Sequence, residues 1–249
     1  MQQMERARIA AIIQARMGST RLPGKVLEDI GGETMLARVV MRTKQARSLH
    51  ETIVAITTAK KDNAIVDECQ RLDCAVYRGE EHDVLDRYYQ TALAYKVDTV
   101  VRITSDCPLI DPAIIDRVIG AFLSKRPDYA SNVVERNYPM GLDVEVMTMQ
   151  ALTKAWREAD KPYERTHVTP YIYQNPSLFR LLHVTGDADY SHYRWTVDTP
   201  EDLAFVRTIY ERFGNSNSIR WQEVVGLLDS EPELADINRH IRQKSLMEG

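Results

Sequence analysis

A short apolar run that empties into a basic, glycine-containing loop constrains this chain more than any other feature. Ile9 to Ala15 carries no charge and leads directly into a segment holding Gly18, Pro23 and Gly24, the pattern of a parallel strand buried on both faces and ending at a loop. After the Gly31-Gly32 turn, Met35, Leu36, Val39, Val40 and Thr43 recur at helical spacing, and Thr52 to Thr57 reads as the next strand, which makes one βαβ unit. Asp62 can cap a helix running through Leu72, Cys74 to Arg78 reads as a strand, Val84 to Tyr95 as a helix and Thr99 to Thr104 as another buried strand. Asp111-Pro112 forms a cap and first-turn pair for the helix holding Ile114, Ile115, Val118, Ile119 and Phe122.

Alternation of this kind implies a mostly parallel sheet covered on both faces, with ligands at the carboxyl ends of its strands. The second half predicts strands over Asp143 to Thr148 and Phe179 to Val184, separated by helical segments around Ala151 to Ala159 and His167 to Tyr173. These segments suit a mixed sheet edge or a dimer arm within about 130–185. Thr199-Pro200-Glu201-Asp202 is a capping arrangement opening a helix to Phe213, and the final helices read as peripheral. With no repeat, low-complexity tract or flexible linker, residues 1–249 are expected to form a single α/β domain.

Composition narrows the function classes. A formal charge of −4 leaves no global field favouring nucleic acid or an anionic membrane, so anion binding has to be local. Cys69, Cys74 and Cys107 are scattered, without a disulfide framework or zinc spacing, as in a reducing cytoplasm. Glu5, Arg6 and Arg8 stand beside too short an apolar run for a signal peptide, and no later run is long enough to span a bilayer. A soluble cytoplasmic enzyme is expected.

The loop after the first strand places Arg16, Arg21 and Lys25 among Gly18, Ser19, Thr20 and Gly24. Glycine lets backbone approach a phosphate, hydroxyls and peptide N–H groups donate to it, arginine forks match its oxygens, and lysine adds a point charge. A solvated basic turn is the alternative. Val26 follows Gly24-Lys25 where a Walker A loop needs Ser or Thr, and G-x-G-x-x-G is absent.

Two distant acids stand out, one at a strand end and one before a helix start. Asp106 follows the apolar stretch Val100 to Ile103, and Asp198 follows Tyr193 to Val197 just before the Thr199-Pro200 helix start. Magnesium prefers hard oxygen ligands, commonly one or two carboxylates plus phosphates and water, so this pair can hold Mg2+. Opening a turn and capping a helix are the alternative roles of Asp106 and Asp198. Asp83 and Asp86, three residues apart near a helix start with Arg87 adjacent, can address a ligand from one helix face or simply cap the helix and form a surface ion pair.

The sequence resembles the cytidylyltransferases that make CMP-activated sugars, including CMP-KDO synthetase and acylneuraminate cytidylyltransferase, and most of all the spore-coat-polysaccharide-type branch. The resemblance runs through Ile13-Gln14-Ala15-Arg16 with Ser19 to Lys25, Asp83 to Tyr88, Arg102 to Pro108 and Asp198 to Leu203. It implies a three-layer nucleotide-binding sandwich, a homodimer, CTP as donor, and Asp106 with Asp198 as the magnesium pair. It also implies nucleotide contacts from Gln14, Ala15, Arg16, Gly18, Ser19, Arg21, Lys25, Asp83, Arg87 and Thr104, with Arg16 and Lys25 catalytic. Glu80 to Tyr88 departs from the Ser-Gly-Thr-Asp-Arg signature of the KDO enzymes, and Thr104 stands where they carry glutamine, which points away from KDO as acceptor.

Tyr138 to Glu145 and Tyr163 to His167 also resemble the spore-coat branch and gather polar groups beside turns. Asp143, Glu145, Arg165 and His167 can hydrogen-bond an acidic or surface-polysaccharide sugar acceptor, and His167 can act as a base or serve as a structural histidine. Cys107 reads as packing. A metal-dependent glycosyltransferase, whose usual D-x-D signature is not evident, and a non-catalytic nucleotide-binding protein are the competing classes.

Overall fold

The computed structural model describes residues 7–246; Glu5 and Arg6 lie outside them. Strand β1 (Ile9–Gln14) is buried along its apolar length. The Lys25–Leu27 turn leads to a hairpin, β2 (Asp29–Ile30) and β3 (Glu33–Thr34), closed by Gly31 and Gly32 at φ 62° and 88°. L side chains rarely adopt that region, so glycine is the residue the turn requires. Helix α1 (Met35–Thr43) starts where the Thr34 hydroxyl accepts from Ala37 N. β4 (Glu51–Thr57) then pairs parallel with β1, α2 (Asn63–Arg71) crosses back, and β5 (Ala75–Gly79) adds to β4. Helix α3 (Val84–Ala94) carries the chain across to β6 (Thr99–Thr104), on the opposite side of β1.

Helix α4 (Pro112–Lys125) starts at Asp111, whose carboxylate accepts from Ala113 N at 2.8 Å and from Trp221 N at 2.8 Å. The short β7 (Tyr129–Ser131) and β8 (Glu145–Thr148) follow, with β8 antiparallel to both β6 and β7. Helices α5 (Met149–Glu158), α6 (Pro162–His167) and α7 (Pro170–Tyr173) precede β9 (Leu181–His183), and α8 (Pro200–Arg212), α9 (Trp221–Ser230) and α10 (Glu233–Asp236) end the order. The seven-stranded sheet runs β5-β4-β1-β6-β8-β7-β9. It is the mostly parallel mixed sheet expected from the alternation.

Because successive side chains leave a strand on opposite faces, β1 feeds two cores. Ala11 and Ile13 join α1, α2, α4, α8 and α9 on one face. Ala10 and Ile12 join α3, α5 and the Val168 to Ile172 stretch on the other. Truncating fully buried Ile12 to alanine is a loss of about 2–5 kcal/mol by the behaviour of such sites. Chain connections leave β1 towards β4 on one side and return to β6 on the other, so the topological switch point lies between β1 and β6, where open parallel sheets bind ligands at the carboxyl ends.

Several local expectations change. Asp62 stands before α2, but its buried carboxylate does not cap the helix; it accepts from Thr57 N, Thr57 Oγ1 and Met17 N instead. The helix expected over His167 to Tyr173 is broken, since Val168 adopts φ 75° between α6 and α7. The final helices are not peripheral, because Val224, Val225, Leu228 and Leu234 are buried in the larger core. Buried Arg38 and Arg42 anchor the stretch leading to them: Arg38 donates to Asn215 O, and Arg42 to the carbonyls of Asn217 and Ile219. β7 has no reading in the sequence at all. Its three residues carry too little pattern to show periodicity.

Candidate active site

The loop after β1 is folded around a single carbonyl. Met17 O accepts from Ser19 N at 3.0 Å and Gly24 N at 3.1 Å, while Met17 N donates to Asp62 Oδ1 at 2.9 Å. Gly24, at φ 74°, turns the chain so that Lys25 enters the interior. A Cβ on Gly18 would stand 2.9 Å from Lys61 Nζ, so Lys61 brings a further cation to the loop. The Ser19 hydroxyl accepts from Leu22 N, Ala15 N donates to Ala55 O, and Arg16 is exposed.

Lys25 is where distant parts of the sequence meet. Its Nζ donates to Asp106 Oδ2 at 3.1 Å, Asp198 Oδ1 at 2.8 Å and the carbonyl of Val197 at 2.7 Å. The two acid loops are joined by Val197 N donating to Asp106 O at 2.8 Å and Thr196 Oγ1 to the same carbonyl at 3.2 Å. Burial alone raises a carboxyl, but at Asp106 the Lys25 charge and a hydrogen bond from Thr104 outweigh it and hold the group at about 2. Burial works to lower the Lys25 ammonium, and the Asp106 and Asp198 charges raise it above its ordinary value. Lys25 and Asp106 are therefore both charged at neutral pH. Asp198 Oδ2 also forms an ion pair with Arg21 Nη2 at 2.9 Å and accepts a hydrogen bond from Arg194 Nη2 at 2.9 Å.

The other expected nucleotide residues lie around this point unequally. Gln14 Oε1 accepts from Arg102 Nη2 at 3.3 Å, and the Thr104 hydroxyl lies 3.1 Å from Cys107 Sγ. Burial, then the Asp106 charge, pushes the Cys107 thiol well up, which keeps it protonated and suits packing. Asp83 caps α3 through Asp86 N at 2.8 Å and is gripped by Arg165 through Nε and Nη2. That contact joins a residue expected on the nucleotide side to one expected on the acceptor side. Arg87 is buried, donates to Glu80 O at 2.6 Å and leaves Nε without a partner among the described residues.

Around the residues expected to meet the acceptor, each arginine has its own carboxylate. Arg136 binds Asp143 bidentately at 2.6 and 2.9 Å. Glu145 is buried between Arg102 and the Tyr129 hydroxyl. His167 Nε2 is buried with no hydrogen-bond partner among the described residues, and burial followed by the Arg102 charge lowers its pKa, so the ring is neutral at pH 7. Sequence reasoning missed Lys61, Asp62, Arg136, Arg194 and Asp202. The four-residue spacing of Arg194, Asp198 and Asp202 was a usable signal; nothing local marks Asp62 as a partner of Met17.

A cationic loop facing two aspartates across the switch point of a mixed α/β sheet defines a nucleotide-binding sandwich of the nucleotidyltransferase class. The chain belongs to the cytidylyltransferase family, whose profile, described as "Cytidylyltransferase", matches residues 10–223. It is accordingly a CTP-dependent nucleotidyltransferase. It is 40% identical over 243 residues to an uncharacterised protein of Methanocaldococcus jannaschii, covering 97% of this chain and 98% of that one. It is 32% identical over 234 residues to the spore coat polysaccharide biosynthesis protein SpsF of Bacillus subtilis, covering 91% and 96%. A solved cytidylyltransferase from Leptospira borgpetersenii serovar Hardjo-bovis superimposes with a TM-score of 0.90 at 30% identity, covering 96% of this chain and all of that one. No helix among the described residues is long and apolar enough to cross a membrane.

Proposed function

We propose that the protein transfers CMP from CTP to an oxygen of a small acceptor, an acidic or surface-polysaccharide sugar, with release of pyrophosphate and with magnesium as cofactor. The observation that carries this reading is the convergence of Asp106 and Asp198 on the one ammonium of Lys25. That ammonium stands in for a cation, and two carboxylates are a donor set that suits magnesium completed by phosphate oxygens and water. No group of three or more His, Cys, Asp or Glu side chains able to hold a metal occurs among the described residues, which fits an ion shared with a substrate better than an all-protein cage. When bound, magnesium supplies charge neutralisation at the reacting phosphates.

The chain's own residues do the rest by placement. Lys25 and Arg21 exchange carboxylate oxygens for phosphate oxygens, and with Arg16 and Lys61 they hold the pyrophosphate portion as its charge develops. Asp106 and Asp198 would supply the carboxylate oxygens that hold the metal. The acceptor hydroxyl oxygen forms its bond to the α-phosphorus as the bond from that phosphorus to the bridging oxygen of the β-phosphate breaks, pyrophosphate leaving and the hydroxyl proton passing to water, with no covalent enzyme intermediate. Asp143, Glu145, Arg165 and His167 line the acceptor side of this proposal. A homodimer of cytoplasmic protein belongs to the same reading, supported by the open sheet edge at β9, and light scattering tests it. The activity test is pyrophosphate release from CTP with magnesium and a panel of sugar acids, other sugars and phosphonates. Release no greater than without acceptor, or preference for another triphosphate, overturns the reading.

A further inference from the structure

Three cations bind Asp198, and they are not equivalent. Lys25 and Arg21 come from the loop after β1. Arg194 is buried and tied elsewhere: Nε donates to Asp202 Oδ1 at 2.8 Å, and Nη2 divides between Asp202 Oδ2 at 3.0 Å and Asp198 Oδ2 at 2.9 Å. Nη1 donates to Gln243 Oε1 at 2.6 Å and reaches Met140 Sδ at 3.4 Å. Fully buried Asp202 in turn accepts from the backbone N–H of Asp198 at 3.0 Å, from Thr199 N at 3.1 Å and from Asn238 Nδ2 at 2.9 Å. Asn238 Nδ2 also donates to Arg194 O at 2.9 Å. One buried arginine–aspartate pair thus holds both the main chain and the side chain of Asp198.

A triphosphate in the loop draws Lys25 and Arg21 to phosphate oxygens, which frees Asp198 Oδ1 and removes one of the two donors on Oδ2. An unsupported carboxylate on a loop would then sample other rotamers. We propose that Arg194 is the positioning residue that keeps Asp198 Oδ2 occupied and Oδ1 aimed at the metal once the loop cations have turned to the nucleotide, with Gln243 fixing the outer nitrogen of Arg194. A lysine in its place carries the charge but has a single nitrogen and no planar fork to span both carboxylates. Partners that orient metal ligands in this way commonly govern metal affinity by about 10–100-fold.

The inference rests on the CTP and magnesium reading, and the test separates the two. CTP is titrated calorimetrically, with and without magnesium, into the wild-type chain, Arg194→Lys and Gln243→Ala. Arg194→Lys is expected to bind CTP without magnesium within about twofold of wild type while losing about 10–100-fold of the tightening that magnesium confers, with kcat falling more than the KM for CTP rises. Gln243→Ala, a change at an exposed side chain, is expected to lose about fivefold of that tightening, the worth of one hydrogen bond. A purely structural Arg194 would lower thermal stability and metal-free CTP binding together and leave the magnesium gain whole, which overturns the inference. If Arg194→Lys fails to fold, Gln243→Ala decides by the same measure: a fivefold loss supports the inference and an undiminished gain overturns it. A wild-type chain that does not bind CTP sinks the proposed function and this inference with it. A wild-type magnesium gain that both variants retain sinks the inference alone.

Discussion

The end proposed to take the nucleotide and the wall proposed to take the acceptor are both built from arginine, lysine and carboxylates, but they are wired differently. At the nucleotide end Asp198 is shared among Lys25, Arg21 and Arg194, so one cation can leave without stranding the charge. Along the acceptor wall Arg136 holds Asp143, Arg165 holds Asp83 and Arg102 holds Glu145, one to one. Breaking such a pair leaves an uncompensated charge, which is costly where the groups are buried. Shared wiring suits a place where phosphate must displace existing partners. Paired wiring suits a wall whose shape has to persist.

The largest expected effect comes from removing the shared cation. Lys25→Met should lower kcat by about 10²–10³-fold, the usual cost of losing one charge stabiliser at a reacting centre. Its unfolding midpoint should fall by roughly 2–4 °C, because Asp198 keeps Arg21 and Arg194 while Asp106, which loses the Lys25 charge, has a side chain 27% exposed and so open to solvent. A collapse of the midpoint with turnover intact would abolish the distinction between the two regions. Arg136→Ala breaks a one-to-one pair, and acceptor KM should rise roughly tenfold with CTP KM unchanged, as for one lost charge-assisted hydrogen bond. Equal losses for both substrates would place Arg136 in the common fold rather than in the acceptor wall.

The smallest effect is a pH dependence. The His167 pKa in the folded chain lies below the ordinary 6.5, so the unfolded chain binds the proton more readily. Its contribution to stability is whole above pH 6.5 and is lost as pH falls through the depressed folded value. His167→Gln should flatten the midpoint-versus-pH profile in that window. A profile as steep as wild type would mean that another group titrates there.

Legibility followed the range of the interactions. β1, β6 and the Asp111 and Thr199 caps were readable because their signals are local: an uncharged run, or a cap residue beside a proline. Lys25 was readable as a phosphate-loop residue, Asp106 as a strand-end acid and Asp198 as an acid before a helix start, and the fold is what brings them to one point. Asp62 looked like a helix cap because aspartate before a helix usually is one, and only the folded loop reveals that Met17 and Thr57 claim its oxygens. Arg136 and Asp143 are separated by a turn with no regular period, so their pairing left no pattern along the chain.

The hold of Asp62 on Met17 has a kinetic consequence. Because a buried carboxylate in the turn between β4 and α2 already fixes the Met17 peptide of the loop, the loop does not have to be ordered by the nucleotide that enters it. Little conformational entropy is then lost on arrival, and association is governed by diffusion and orientation instead of by a slow folding step around the ligand. Asp62 therefore shapes the loop as much as the loop's own residues do, although it was not legible as such from the chain.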